Sequence, residues 1–156
     1  MRKSLLVGSL CSAMILSGSM ALAADYWVGT WKLDVAKSKH TPAPGPKSLT
    51  LKFETTPAGI KLSSDGVNAA GTAMKGSYTS KFDGKDVPWE GNPDADTASA
   101  KKVDDNSYVN TWKKGGKTTV TAKAVVSADG KTLTVTQTGK NAKGEAVNST
   151  AVYERQ

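Results

Sequence analysis

The stretch Thr118-Thr119-Val120-Thr121-Ala122-Lys123-Ala124-Val125-Val126 leads through Ser127-Ala128-Asp129-Gly130 into Lys131-Thr132-Leu133-Thr134-Val135-Thr136, and its reading decides the fold. Val120, Ala122, Ala124 and Val126 share one parity, against Thr119, Thr121 and Lys123 on the other. Leu133 and Val135 likewise oppose Thr132, Thr134 and Thr136. A period of two sends successive side chains to opposite faces of a strand, so each segment has one apolar and one solvated face. The Asp129-Gly130 pair between them reads as a tight antiparallel turn.

The same alternation extends in both directions. Leu49, Leu51 and Phe53 interleave with Thr50, Lys52 and Glu54, while Met74, Gly76, Tyr78, Ser80 and Phe82 form another single-parity set. Turn signals stand at Pro57-Ala58-Gly59, Asp65-Gly66, Asp83-Gly84-Lys85, Asn92-Pro93-Asp94, Asp104-Asp105-Asn106, Lys114-Gly115-Gly116 and Gly139-Lys140-Asn141. Cutting there predicts about ten strands, near 27–34, 48–56, 60–64, 72–82, 86–90, 97–103, 107–113, 118–127, 131–138 and 146–154. Ten strands joined by tight turns make an all-β antiparallel up-and-down meander, and closing it into a barrel removes two long unpaired edges. A two-sheet sandwich is the competing architecture with the same strand spacing. Residues 36–47 differ from the other connections: Pro42, Pro44, Gly45 and Pro46 exclude a continuous helix and predict an extended loop across one barrel end.

The chain has 156 residues and formal net charge +7. Met1-Arg2-Lys3, an apolar run to Met20 and Ala21-Leu22-Ala23 have the pattern of a signal peptide cleaved after Ala23. Leu10 before Cys11, with most of the apolar run following the cysteine, argues against a lipoprotein site. Cleavage removes Arg2, Lys3 and the only cysteine, so residues 24–156 form a thiol-free single domain of net charge +5, expected in the periplasm or secreted. No later run is apolar enough to span a membrane. Disulfide scaffolds, Cys-dependent zinc sites and cysteine nucleophiles are excluded for that product.

Three motifs carry a resemblance. Val28-Gly29-Thr30-Trp31-Lys32-Leu33 resembles the G-x-W opening of the calycin group, which comprises lipocalins and intracellular fatty-acid-binding proteins. Val152-Tyr153-Glu154-Arg155 resembles the closing strand of the fatty-acid binders, and Trp112 to Thr119 resembles their Trp-Asp-Gly-Lys hairpin followed by Thr-Thr. The chain is also similar to small exported bacterial lipocalin-like proteins. The resemblance implies a lipocalin-like barrel around a small hydrophobic ligand. It also implies two inward arginines that clamp a carboxylate, yet Ala122 and Ala151 stand at those positions. The Pro-rich loop occupies the place of that family's two-helix lid. A fatty acid held by an arginine pair is therefore not expected, whereas a neutral or purely hydrophobic molecule is.

All ten aromatic residues lie beyond Ala23. By parity, Phe53, Tyr78, Phe82, Tyr108, Trp112 and Tyr153 point inward, and Trp89, beside Pro88 and a turn, is expected at the barrel mouth. These seven are the candidate ligand-binding residues, with simple core filling as their alternative role. Gly29, Trp31 and Arg155 are expected to close the far end, the guanidinium lying over the indole. His40, the only histidine, sits between Lys39 and Thr41 and reads as an exposed loop residue rather than a haem ligand. No catalytic constellation, cofactor site or metal site is expected. Asn92 to Asp96 resembles a calcium loop only superficially, because Thr97 and Val103 replace its essential Gly and Glu. The basic residues are scattered among acidic ones, so nucleic acid is not an expected partner. Two functions remain: a barrel binding a small apolar molecule, or a filled structural or protein-interaction barrel acting through its surface or the 36–47 loop.

Overall fold

The computed structural model describes residues 26–156; the expected signal segment, its cleavage site and Cys11 lie outside them. Ten strands follow in chain order: β1 Gly29–Lys39, β2 Ser48–Thr56, β3 Gly59–Val67, β4 Ala73–Ser80, β5 Asp83–Pro88, β6 Thr97–Asp104, β7 Ser107–Lys114, β8 Lys117–Val126, β9 Thr132–Lys140 and β10 Ala146–Arg155. All pair antiparallel in one sheet of order β4-β3-β2-β1-β10-β9-β8-β7-β6-β5. A single sheet excludes the sandwich. Its first and last strands meet through Trp31 opposite Arg155, Leu33 opposite Tyr153 and Asp34 opposite Val152.

Closure is incomplete where β4 faces β5. One bridge joins the two sides there, Ser77 and Glu90 exchanging both backbone N–H···O bonds at 3.0 Å. Both edges are short, and β5 is further blunted by Pro88 and by a register shift between Asp83 and Asp86. At the bridge the backbones come so close that a Cβ on Gly91, at φ +78°, would lie 2.0 Å from the Lys75 carbonyl oxygen.

Several turn expectations are corrected. Asp65-Gly66 lies within β3 opposite Thr50 and Leu49, and the chain reverses at 68–72 instead, through Asn68 and Thr72. Gly66 is needed because a Cβ there would meet the Ser48 carbonyl oxygen at 2.2 Å, so this glycine marks close approach rather than a turn. Gly139-Lys140 ends β9, and Asp83 to Lys85 begins β5. β1 runs on to Lys39, five residues past its expected end, because the Ser38 hydroxyl accepts from Val152 N at 2.9 Å and carries β1 across a register shift.

Successive hairpin turns alternate between the barrel's ends. At one end Trp31 is fully buried, and its Nε1 donates to the Trp27 carbonyl at 2.8 Å. The Arg155 guanidinium lies 4.1 Å from the Trp31 ring centroid and donates to the carbonyls of Gly130 (2.6 Å), Val28 (2.9 Å) and Tyr26. Gly29, at φ +139°, leaves room for it: a Cβ would stand 2.5 Å from Arg155 Nη1. Trp27, Phe53, Phe82 and Tyr108 fill the barrel above, in ring contacts of 5.0–6.0 Å. Phe82 holds φ +56°, a conformation disfavoured for a bulky side chain, with its ring buried between Trp27 and Tyr108.

Arg155→Ala removes a stacked cation and three charge-assisted hydrogen bonds. It is expected to destabilise the fold by about 2 kcal/mol, and Arg155→Lys to restore less than half of that, because an ammonium lacks the planar fork. Urea denaturation of the two variants measures both.

Candidate binding cavity

The other half of the barrel is hollow. A cavity of about 710 Å³ opens among the turns at the end away from Trp31. A volume of this size suits a small organic ligand. β2 and β3 supply Leu49, Leu51 and Leu62 to its wall, while β8 and β9 supply Ala122, Ala124 and Val135. The alternation that defines the strands creates this surface, since each strand turns its apolar parity inward. A further hollow of about 430 Å³ lies under the Pro-rich loop and shares Leu49, Met74, Trp112, Gln137 and Tyr153 with the first, so the two belong to one interior.

The expected extended loop spans residues 40–47, starting after the lengthened β1. It is tied to β10, with Thr41 N donating to Ser149 Oγ (3.0 Å) and Asn148 N to the Thr41 carbonyl (3.3 Å). Lys47 N reaches the Val67 carbonyl at 2.9 Å. His40 is half-buried rather than exposed: its ring packs against Gly45, its Nε2 makes no hydrogen bond, and burial pushes the imidazole below its usual range.

The seven candidate ligand-binding residues divide by depth. Trp89, Tyr108, Trp112 and Tyr153 stand in the wall of the 710 Å³ cavity. Phe53, Tyr78 and Phe82 face inward but lie outside that wall. Phe53 and Phe82 are packed in the aromatic layer around Trp27, and Tyr78 is held behind Trp89 at a centroid distance of 5.0 Å. Trp89 bridges to Trp112, its ring centroid also 5.0 Å away.

Sequence reasoning passed over two polar residues of the wall, Asn110 and Gln137. The signal was present, because Asn110 stands between Tyr108 and Trp112 on their inward parity, and Gln137 continues the Leu133 and Val135 series. Asn110 is 4 % exposed. Its Nδ2 donates to the Tyr78 hydroxyl at 3.1 Å, while its Oδ1 makes no hydrogen bond. Trp112 Nε1 is likewise buried without a partner. The only charged residues of the cavity wall, Lys75 and Asp94, belong to its rim: Lys75 pairs with Asp65 at 3.2 Å, and Asp94 Oδ1 accepts from Ala142 N at 2.9 Å.

No protein-family model matches the sequence, and no curated protein does. Among solved structures, the chain is similar to the crystal structure of zebrafish ileal bile acid-binding protein complexed with cholic acid. The TM-score is 0.47 at 10 % sequence identity, over 84 % of this chain and 99 % of that one.

Burial raises the phenols of Tyr78 and Tyr153 well above their ordinary value of 10.0. It raises Tyr108 too, with smaller contributions from the neighbouring Tyr78 and Tyr153. These groups stay neutral in the folded chain while the unfolded chain ionises near pH 10, so the unfolded state binds fewer protons above that point. Stability is therefore unaffected by them below about pH 10 and falls as pH rises further. In a spectrophotometric titration, these three tyrosines are expected to ionise together with loss of the near-ultraviolet circular dichroism signal rather than before it.

Proposed function

We propose that this barrel is a binding protein that takes up one small, largely apolar, uncharged molecule. The observation that carries the reading is the hollow half of the interior, walled by leucines, alanines and valine with Trp89, Tyr108, Trp112 and Tyr153. Burial of apolar surface is the driving force such a wall offers. Charge is disfavoured because a carboxylate or ammonium taken from water needs a partner. Ala122 and Ala151 face inward where the resembling family places arginines. Binding is favoured over catalysis, since the one acidic side chain of the cavity wall is engaged at the rim and His40, which lines the adjoining hollow under the loop, makes no hydrogen bond through Nε2 to any nucleophile or carboxylate. The basic, then apolar, then Ala-Leu-Ala start of the chain supports action outside the cytoplasm. A barrel filled throughout, serving only as a structural or protein-interaction module, agrees with the aromatic half alone.

Ala122→Phe tests the reading by placing a ring in the hollow. It is expected to weaken binding of the neutral dye Nile red at least tenfold while the thermal midpoint stays within a few degrees of the parent. Native mass spectrometry of protein purified from its source compartment is expected to show a retained small molecule. Absence of both dye binding and retained mass overturns the proposal.

A further inference from the structure

The Pro-rich loop covers the smaller hollow, and its middle is held by packing. Hydrogen bonds pin its two ends, Thr41 N to Ser149 Oγ and Asn148 N to the Thr41 carbonyl on one side, Lys47 N to the Val67 carbonyl on the other. Between them, residues 42–46 make no hydrogen bond among the described residues, and Pro42, Pro44 and Pro46 have no N–H to offer. Instead Gly45 lies so close to the His40 ring that a Cβ on it would stand 2.1 Å from Cδ2 and 2.9 Å from Nε2. His40 and Gly45 both line the hollow, which adjoins the larger cavity.

The two ring nitrogens of His40 have different surroundings. Nδ1 makes no hydrogen bond and is in contact with solvent, whereas Nε2 is buried without a partner. A neutral imidazole carries one proton, which belongs on Nδ1, where water can accept its hydrogen bond. Charging the ring therefore requires a second proton on Nε2, where Gly45 shuts out solvent and no acceptor stands. An ion buried without a partner is far costlier than a neutral polar group, so the ring charges when the loop lifts off it. Asp94 is the only other ionic side chain lining the hollow; it faces it from the loop before β6, and its Oδ1 accepts from Ala142 N. Lys39 and Lys47 flank the loop, and the Tyr153 phenol in the hollow's wall stays neutral. None of these adds to the effect of burial on the imidazole. An open loop takes its proton near the ordinary value of 6.5 and a shut one below it, so closure weakens as pH falls through 6.5 and is unaffected above about pH 7.5. We propose that residues 40–47 are an acid-opened cover, shut over the hollow while His40 is neutral and lifted when a proton enters at Nε2. Its consequence for a ligand, tighter retention at neutral pH than in mild acid, rests on the binding function proposed above.

His40 is the only histidine, so NMR can follow its Cε1–H signal alone between pH 7.5 and 4.5 in protein purified without a histidine tag. The expected midpoint lies below 6.5. As the ring charges, protection of the Thr41 and Lys47 amides against hydrogen exchange is expected to fall at least tenfold, and that of Val135 and Ala151 to hold. His40→Phe keeps a ring against Gly45 that cannot charge, and is expected to keep both loop amides protected throughout. His40→Gln carries the same test if the phenylalanine variant does not fold. Nile red is expected to bind the parent at least threefold more weakly at pH 5 than at pH 7.5, and His40→Phe equally at both. A midpoint at or above 6.5, or loop protection that does not follow it, overturns the cover. Loop opening with unchanged Nile red affinity overturns its link to the ligand and leaves the binding function standing. Absence of dye binding at every pH overturns the binding function, and amide exchange still decides the cover.

Discussion

The pairing of β1 with β10 is the constraint on which the rest depends. β1 to β4 form one run of sequential hairpins and β5 to β10 another, and each run could pair locally without the other. The β1–β10 ladder alone joins them into one continuous sheet. It matches Trp31 with Arg155, residues at opposite ends of the described chain, and long-range closure carries the greatest entropic cost. Arg155 offsets that cost by binding several elements at once, since its guanidinium covers the Trp31 ring and reaches the carbonyls of Val28, Gly130 and Tyr26. An interior exists because this seam holds.

That interior is divided by side-chain size. At the Trp31 end, Trp27, Phe53, Phe82 and Tyr108 fill the cross-section, and the cost of holding Phe82 at positive φ is met by its ring contacts. Towards the other end the inward positions of β8 and β10 are occupied by Ala122, Ala124 and Ala151, which are too small to meet across the barrel. The aromatic floor fixes the shape of the lower barrel, and the alanines leave space above it. Packing and binding thus occupy separate lengths of the same strands.

Alternation made most of the architecture legible. Seven of the ten strands lie within two residues of their expected bounds at both ends, because Val120 to Val126 and its counterparts keep strict parity wherever one face is buried. What the sequence hid were features that depend on backbones approaching each other. Gly66 and Gly139 look like turn residues, yet each lies where a neighbouring strand leaves no room for a Cβ. The aromatic residues were legible as inward-facing but not by depth, since parity sets the face and not the distance from the mouth. Asn110 and Gln137 escaped attention because a search for apolar and charged groups passes over neutral amides, although their parity marked them.

The gap between β4 and β5 has a mechanical meaning. Around most of the barrel the circumference is fixed by ladders of hydrogen bonds, but on that side it is fixed by the Ser77–Glu90 pair. The girth of the shell can change there by giving up two backbone bonds rather than a whole ladder, and the Ser77 and Glu90 amides should exchange with solvent faster than those of the central strands. The wall beside the gap includes Gly76 and Trp89, so the part of the shell best able to yield borders the hollow directly.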